Sequence, residues 1–257
     1  MGNFMITDAK PSFKDIARNL RLHFMRVRNA EKSYGRQLVA VGRQVGTIIR
    51  GLAHRPTDLV TTLEKYSDVL DPWARATAAR MVDEVARRDA NAWNATAQEL
   101  GQNLRHAIES TPIGHTMQTL IADQVDEIKS IPLEAASRVF NLAMEAHAGG
   151  RRSAEIAEEI LRTEDVTVAR ARMLARSAVS TASSTLVESR ALYVGSPGYF
   201  WRTSKDSDVR KDHNELDGTF HRWDEPPIVD KRSGFRSHPG CNANCRCWPQ
   251  VVLPEPE

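Results

Sequence analysis

The sequence predicts a mainly α protein: an extended helical body followed by a small α+β module at the C-terminus. Three observations carry this. From Ser12 to about Leu192 apolar residues recur at a helical period almost without interruption. At "VGSPGYFWRTSKDSD" that period vanishes, and glycine, proline and aromatic residues take over. All three cysteines of the chain then fall between Cys241 and Cys247. A chain of 257 residues suffices for one large domain or two smaller ones. The breaks near Thr111–Pro112 and Val194 predict a helical N-terminal region (1–110), a second helical region (111–194) and a short-stranded module (195–257).

Ser12, followed by Asp15, reads as a capping box opening the first helix. Phe13, Ile16, Ala17, Leu20, Phe24 and Val27 share one face of it. A second helix is expected from Ala30 to Leu52. Asp71 and Pro72 supply an N-cap and an N1 proline for a very long helical pattern. Its alanines (Ala74, Ala76, Ala78, Ala79, Ala86, Ala90) suit close helix packing. Another helix runs from Ile113 to Lys129. "SIP" (130–132) then ends it and starts the next, with Leu133, Ala136, Phe140 and Met144 in register. Gly149 and Gly150 stop that helix. Ser153 caps "SAEIAEEILRT", and the last long helix carries Arg170, Arg172 and Arg176 as a solvated or partner-facing flank.

Beyond Val194, "GYFWRTS" reads as a strand with Tyr199 and Trp201 on one face and Phe200 on the other. "DGTFHRW" predicts a turn at Asp217–Gly218 and a second strand, and "RCWPQVVLP" a final one. Such a short module has little apolar surface to bury, and domains of this size often need a staple.

Composition is ordinary for a globular protein, at 41% hydrophobic and 26% charged, and a net charge of +2 implies no partner by itself. The N-terminus lacks the apolar segment of a secretory signal, and Ile6 stands where a myristoylation signal has Ser or Thr. No run is long enough to span a bilayer, so no membrane partner is expected. Charge is nevertheless uneven. Residues 1–60 hold eleven Lys and Arg against four Asp and Glu. Lys14, Arg18, Arg21 and Arg28 form one stripe at helical spacing, readable as solvated surface or as a contact for DNA or an acidic partner.

The clustered thiols admit several readings. Clustered cysteines without a secretory signal lean towards a metal site or buried thiols. Cys241, Cys245 and Cys247 offer three thiolates, and zinc prefers a tetrahedral shell of sulfur and imidazole. His213 or His238 is the fourth candidate, and His213 is preferred because a ligand distant in sequence clamps two parts of the module. Equally, three small thiols can pack beneath Trp248. A disulfide, most plausibly one using Cys241, ranks third; Cys245 and Cys247 on one strand sit near the upper limit of bridging distance. A catalytic thiol ranks below that. Asp208, Arg210 and His213 read as a hydrogen-bonded network after the first strand, with Arg210 paired to a carboxylate such as Asp217.

"GGRRSAEIAEEIL", "RARMLARSAVSTASS", "GYFWRTSKDSDVRKDHNELDGTF" and "HPGCNANCRCWPQV" occur in that order. Together they resemble the Mu F-like head morphogenesis family of tailed phages and prophages, over about Ile128 to Val252. The motif residues that carry the resemblance are Trp201, Asp208, Arg210, His213, Asp217, Gly218 and the closing C-R-C. His213 matches a histidine of the family motif, and the family keeps C-R-C more reliably than a preceding cysteine. The resemblance implies a minor capsid protein at or near the portal vertex, acting in head assembly or DNA delivery without enzymatic activity of its own. It would be assembled in the bacterial cytoplasm and located in the phage head. The implied partners are the portal protein, the major capsid protein and packaged DNA. A metal-dependent nuclease or hydrolase in the C-terminal module is the alternative. It would need a further histidine or carboxylate that the sequence does not place.

Overall fold

The structure, a computed structural model, describes the backbone of residues 13–100, 111–149, 151 and 156–253, and the side chains of these apart from 13–26 and 96–100. Its architecture is a helical body carrying a small stranded module. The helices are α1 (Phe13–Leu52), α2 (Pro56–Val69), α3 (Asp71–Leu100), α4 (Gly114–Ala148), α5 (Ala157–Leu161) and α6 (Thr163–Tyr193). The module contains β1 (Gly198–Arg202), α7 (Lys211–Glu215), β2 (Phe220–Arg222), β3 (Ile228–Asp230), β4 (Phe235–Arg236) and β5 (Trp248–Val252). No described helix is long and apolar enough to cross a membrane.

Several helical boundaries differ from the sequence-based expectation. α1 is one helix of 40 residues where two were expected. No proline breaks it, and Gly42 serves packing. A Cβ on Gly42 would sit 3.3 Å from Val168 Cα, so its absence lets α1 and α6 approach closely. α2 was not anticipated, although proline at its start and the buried pair Leu59 and Leu63 mark it. α4 runs through Pro132, where "SIP" suggested a break. The proline removes one backbone hydrogen bond, but Ile128, Ile131, Ala135 and Ala136 are buried around it and hold the helix in place. Leu133, Phe140 and Met144 are exposed by 43%, 53% and 52%, because α4 turns a different face, with Ile128, Ala135 and Val139, into the core. Gly149 caps α4 as expected. The proposed caps at Ser12 and Ser153 lie outside the described residues.

One apolar cluster joins Leu38 of α1, Val82 of α3, Ile128 of α4 and Ala175 of α6, drawing on both sides of residue 110. The buried alanines Ala74, Ala78 and Ala86 allow this close approach. A second cluster joins Val45 and Ile49 of α1 to Leu59 and Leu63 of α2 and Val139 of α4. Arg170 and Arg176 are not a free flank: Arg170 pairs with Glu134, and Arg176 reaches Glu31 of α1 at 3.3 Å. Arg172 is exposed.

The module is built on an antiparallel sheet of order β2-β1-β5, with β3 and β4 as a separate pair. Tyr199 and Trp201 point inward and Phe200 is half-buried, as the alternation predicts. Their cluster includes Trp223, Trp248, Val251, Cys245 and Cys247, and it is completed by Trp93 of α3 and Val187 and Ala191 of α6. The helical body therefore supplies part of the core that the module lacks.

Next to this seam lies a buried ion pair. Arg190 Nε of α6 donates to Asp89 Oδ2 of α3 at 2.6 Å, with side chains 6% and 0% exposed. Burial pushes the Asp89 carboxyl up to about 6, against the opposing charge and hydrogen bond of Arg190. Removing one partner strands the other charge. Asp89→Ala is expected to lower stability by about 3–5 kcal/mol in urea unfolding, and a double apolar replacement of Asp89 and Arg190 to recover much of that loss. Between about pH 4, the unfolded value, and pH 6, the folded chain holds a proton at Asp89 that the unfolded chain has released. The contribution of Asp89 to stability therefore falls as pH rises through that window, and Asp89→Asn should flatten this part of the stability–pH curve.

Candidate metal centre

The site lies where three short pieces of the module meet α6. The first is β1, which buries Trp201. The second is α7, five residues long, which carries His213. The third is the 238–247 loop, seated on a row of α6 hydroxyls. Ser184 Oγ donates to the Pro239 carbonyl, Thr181 Oγ1 donates to the Gly240 carbonyl at 3.4 Å, and Asn244 N–H donates to Ser177 Oγ at 2.9 Å. Gly240 has φ +87°, and a Cβ there would lie 3.1 Å from Ser180 Oγ and 3.2 Å from the Cys247 carbonyl. Only glycine meets both demands.

This seat directs Cys245 and Cys247 onto His213. Nδ1 of His213 is 3.5 Å from Cys245 Sγ and 3.6 Å from Cys247 Sγ. The three donor atoms all lie within 4.8 Å of one another. Metal–sulfur and metal–nitrogen bonds of about 2.3 and 2.0–2.1 Å at tetrahedral angles place sulfur and nitrogen roughly 3.6 Å apart. The donor spacing therefore fits a thiophilic tetrahedral ion. The three side chains are buried, and His213 Nε2 has no hydrogen-bond partner among the described residues. Trp201 packs edge-on to the imidazole, with centroids 5.5 Å apart.

The two sulfurs are electrostatically unequal. Hydrogen bonding from Cys247 and then His213 stabilises the Cys245 thiolate and lowers its pKa, with burial opposing. Cys247 is raised, because its proton is held by the Cys245 sulfur and burial disfavours its charge. One thiolate is thus stabilised without a metal, and a cation is the partner that would favour two.

The expected four-donor set is brought together only in part. Cys241 is outside the cluster of His213, Cys245 and Cys247. It faces Ser184, Thr185 and Glu188 of α6, and burial pushes its thiol up to about 11. The other candidate, His238, accepts or donates at 2.9 Å with the Tyr199 hydroxyl and stacks beside Tyr199 and Trp223. The expected Arg210–Asp217 pair does not form. Arg210 Nη2 donates to the Ala243 carbonyl at 2.8 Å, whereas Asp217 accepts from Thr203 N–H at 2.9 Å and from Lys205. Asp208 pairs with Arg246 at 3.2 Å, and Arg246 also holds Asp206 at 2.9 Å. Gly218, at φ +84°, donates its N–H to the Trp201 carbonyl at 2.8 Å and so closes the turn beneath the site. Arg28 is exposed, while the side chains of Lys14, Arg18 and Arg21 lie outside the described residues. Sequence reading missed the α6 hydroxyl row, although "SAVSTASST" carries small polar residues at helical spacing.

The chain thus joins a helical body to a small appended module with a Cys–His cluster, and comparison with known proteins finds a likeness over the part that contains the cluster. Residues 137–249 match the family described as Phage Mu protein F like protein. Over those residues, which include His213 and all three cysteines, the chain is similar to the Mu F-like proteins. An uncharacterized protein from Haemophilus influenzae is 32% identical over 163 residues, covering 63% of this chain and 34% of the relative. The chain thus spans about a third of that relative's length. No solved structure matches.

The loop seat is open to direct test. Gly240→Ala introduces both strain and a close contact and should cost about 1–3 kcal/mol. It should also raise the reactivity of Cys245 and Cys247 towards a thiol reagent in the folded protein. Unchanged stability and thiol reactivity would show that the loop tolerates another backbone conformation.

Proposed function

We propose that this chain is a structural minor head protein of a tailed phage or prophage, located in the virion at or near the portal vertex. The observation that carries this reading is the Mu F-like match over residues 137–249, which contains most of the module and its metal-fitting cluster. The helical body contacts the portal protein or the inner face of the major capsid protein during head assembly or DNA delivery, and the module forms a rigid tip. The protein has no catalytic role of its own: the carboxylates Asp206 and Asp208, near the thiol pair, are both tied to Arg246. In purified heads it should be present in few copies and should remain with the portal when the shell is dissociated. Heads assembled in its absence with normal composition, morphology and DNA delivery would refute the assignment.

The metal in this reading is zinc, held by His213, Cys245 and Cys247. Bound there it supplies a structural staple, tying α7 to the 238–247 loop in a module with a small core. Protein purified without a tag should carry about one equivalent of zinc. Chelation should lower its melting temperature and release amide protection in 198–252 more than in the helical body. Less than about a tenth of an equivalent, with normal stability, would leave the pair as buried thiols.

The basic stripe Lys14, Arg18, Arg21 and Arg28 is the contact for packaged DNA or an acidic partner surface. Four phosphate contacts should cost about tenfold or more in affinity between low and physiological salt. Replacing all four by glutamine should weaken DNA binding and flatten that salt dependence while helicity is kept. A salt response identical in parent and variant would make the stripe solvated surface.

A further inference from the structure

The cluster offers three donors where a tetrahedral ion takes four, and the fourth direction is not filled by Cys241. His213, Cys245 and Cys247 also line a cavity of about 270 Å³. Its other walls are polar and include Arg176, Asp206, Asp208, Arg210 and Arg246. Three guanidinium groups and two carboxylates line it. Arg246 is balanced by both aspartates, and Arg176 by Glu31. Arg210 has no carboxylate partner among the described residues, and its bond to the Ala243 carbonyl leaves its other N–H groups available. A dication with two thiolates and a neutral imidazole is itself neutral, so Arg210 stays without a carboxylate partner among the described residues when the ion is in place. A neighbouring cavity of about 210 Å³ shares Arg176, Ser204, Asp206 and Arg246 with the first and reaches Arg28, the described end of the basic stripe.

We propose that the Cys245–Cys247–His213 centre holds its ion through three protein ligands only, and that the fourth position opens into this cavity as a binding site for a phosphate group, recognised by Arg210. This rests on the metal reading above. The phosphate oxygen completes the shell, and the Arg210 guanidinium offers the paired donors that suit a phosphate. The size of the cavity suits a free phosphate or the terminal phosphate of a nucleic acid strand, and its continuation towards Arg28 leaves a path for such a strand.

Cobalt(II) reports on both questions. The full-length protein, stripped of metal and kept reduced in phosphate-free buffer, is loaded with Co²⁺ alone and titrated first with inorganic phosphate and then with a 5′-phosphorylated oligodeoxynucleotide. Saturable movement of the cobalt d–d bands with phosphate is expected. Arg210→Gln should weaken that response about tenfold, as for a charge-assisted hydrogen bond, without altering the phosphate-free spectrum. Cys241→Ser should keep the full thiolate-to-cobalt charge-transfer intensity. A response to the oligonucleotide as well as to free phosphate supports the site and assigns it a nucleic acid end, whereas a response to phosphate alone supports it as a small-anion site. Absence of any cobalt band overturns the metal centre itself, and this site with it. Bands that form but ignore phosphate leave the metal centre standing and overturn the open position. So does the loss of about a third of the charge-transfer intensity in Cys241→Ser, which would identify a third thiolate.

Discussion

The seat of the 238–247 loop on α6 is the contact on which the C-terminal half depends. The hydroxyls of Ser177, Thr181 and Ser184 bind the loop's backbone, and Gly240 brings that backbone within reach of Ser180. Backbone carbonyls buried against a helix need donors, and short hydroxyl side chains supply them without holding the surfaces apart. Once the loop is fixed in this way, Cys245 and Cys247 turn towards α7 and Trp248 enters the core. β5 then pairs along the whole of β1, from Gly198 opposite Val252 to Arg202 opposite Trp248.

The same seam explains how so small a module stays folded. Its aromatic cluster is not self-sufficient: Trp93, Val187 and Ala191 come from the helical body. The Asp89–Arg190 pair lies at the same junction, in the same two helices as those three residues. Buried ion pairs are poor sources of net stability but costly to break, which makes this one a determinant of which turn of α3 faces which turn of α6. The module is thus held by apolar burial, by backbone hydrogen bonding to α6 and by the convergence of His213 with two sulfurs. The last of these leaves an imidazole nitrogen buried without a partner, a cost that metal ligation would offset through the other ring nitrogen.

Much of the fold was legible because its signals are local. The helical period, the proline and aspartate at the start of α3, Gly149 at the end of α4 and the alternation through Tyr199, Phe200 and Trp201 each report on a few neighbouring residues. The errors share a cause too. Local rules place boundaries at Pro132 and around Ala30, whereas burial of Ile128, Ile131 and Tyr34 carries both helices through. Leu133, Phe140 and Met144 fit a helical face as well as the residues that are actually buried, and a period alone does not say which face meets the core.

The candidate site divides in the same way. Residue types and spacing within the sequence determined that thiols cluster near the C-terminus, favoured His213 over His238 as their companion, and marked a glycine turn after it and a basic N-terminal region. Which donors converge was decided only by tertiary structure. Cys241 lies four residues from Cys245 yet faces α6, and Arg210 reaches the Ala243 carbonyl instead of Asp217. The physical reason is that donor direction follows from the backbone path of the loop, and that path is set by hydroxyls on a helix some sixty residues away in sequence.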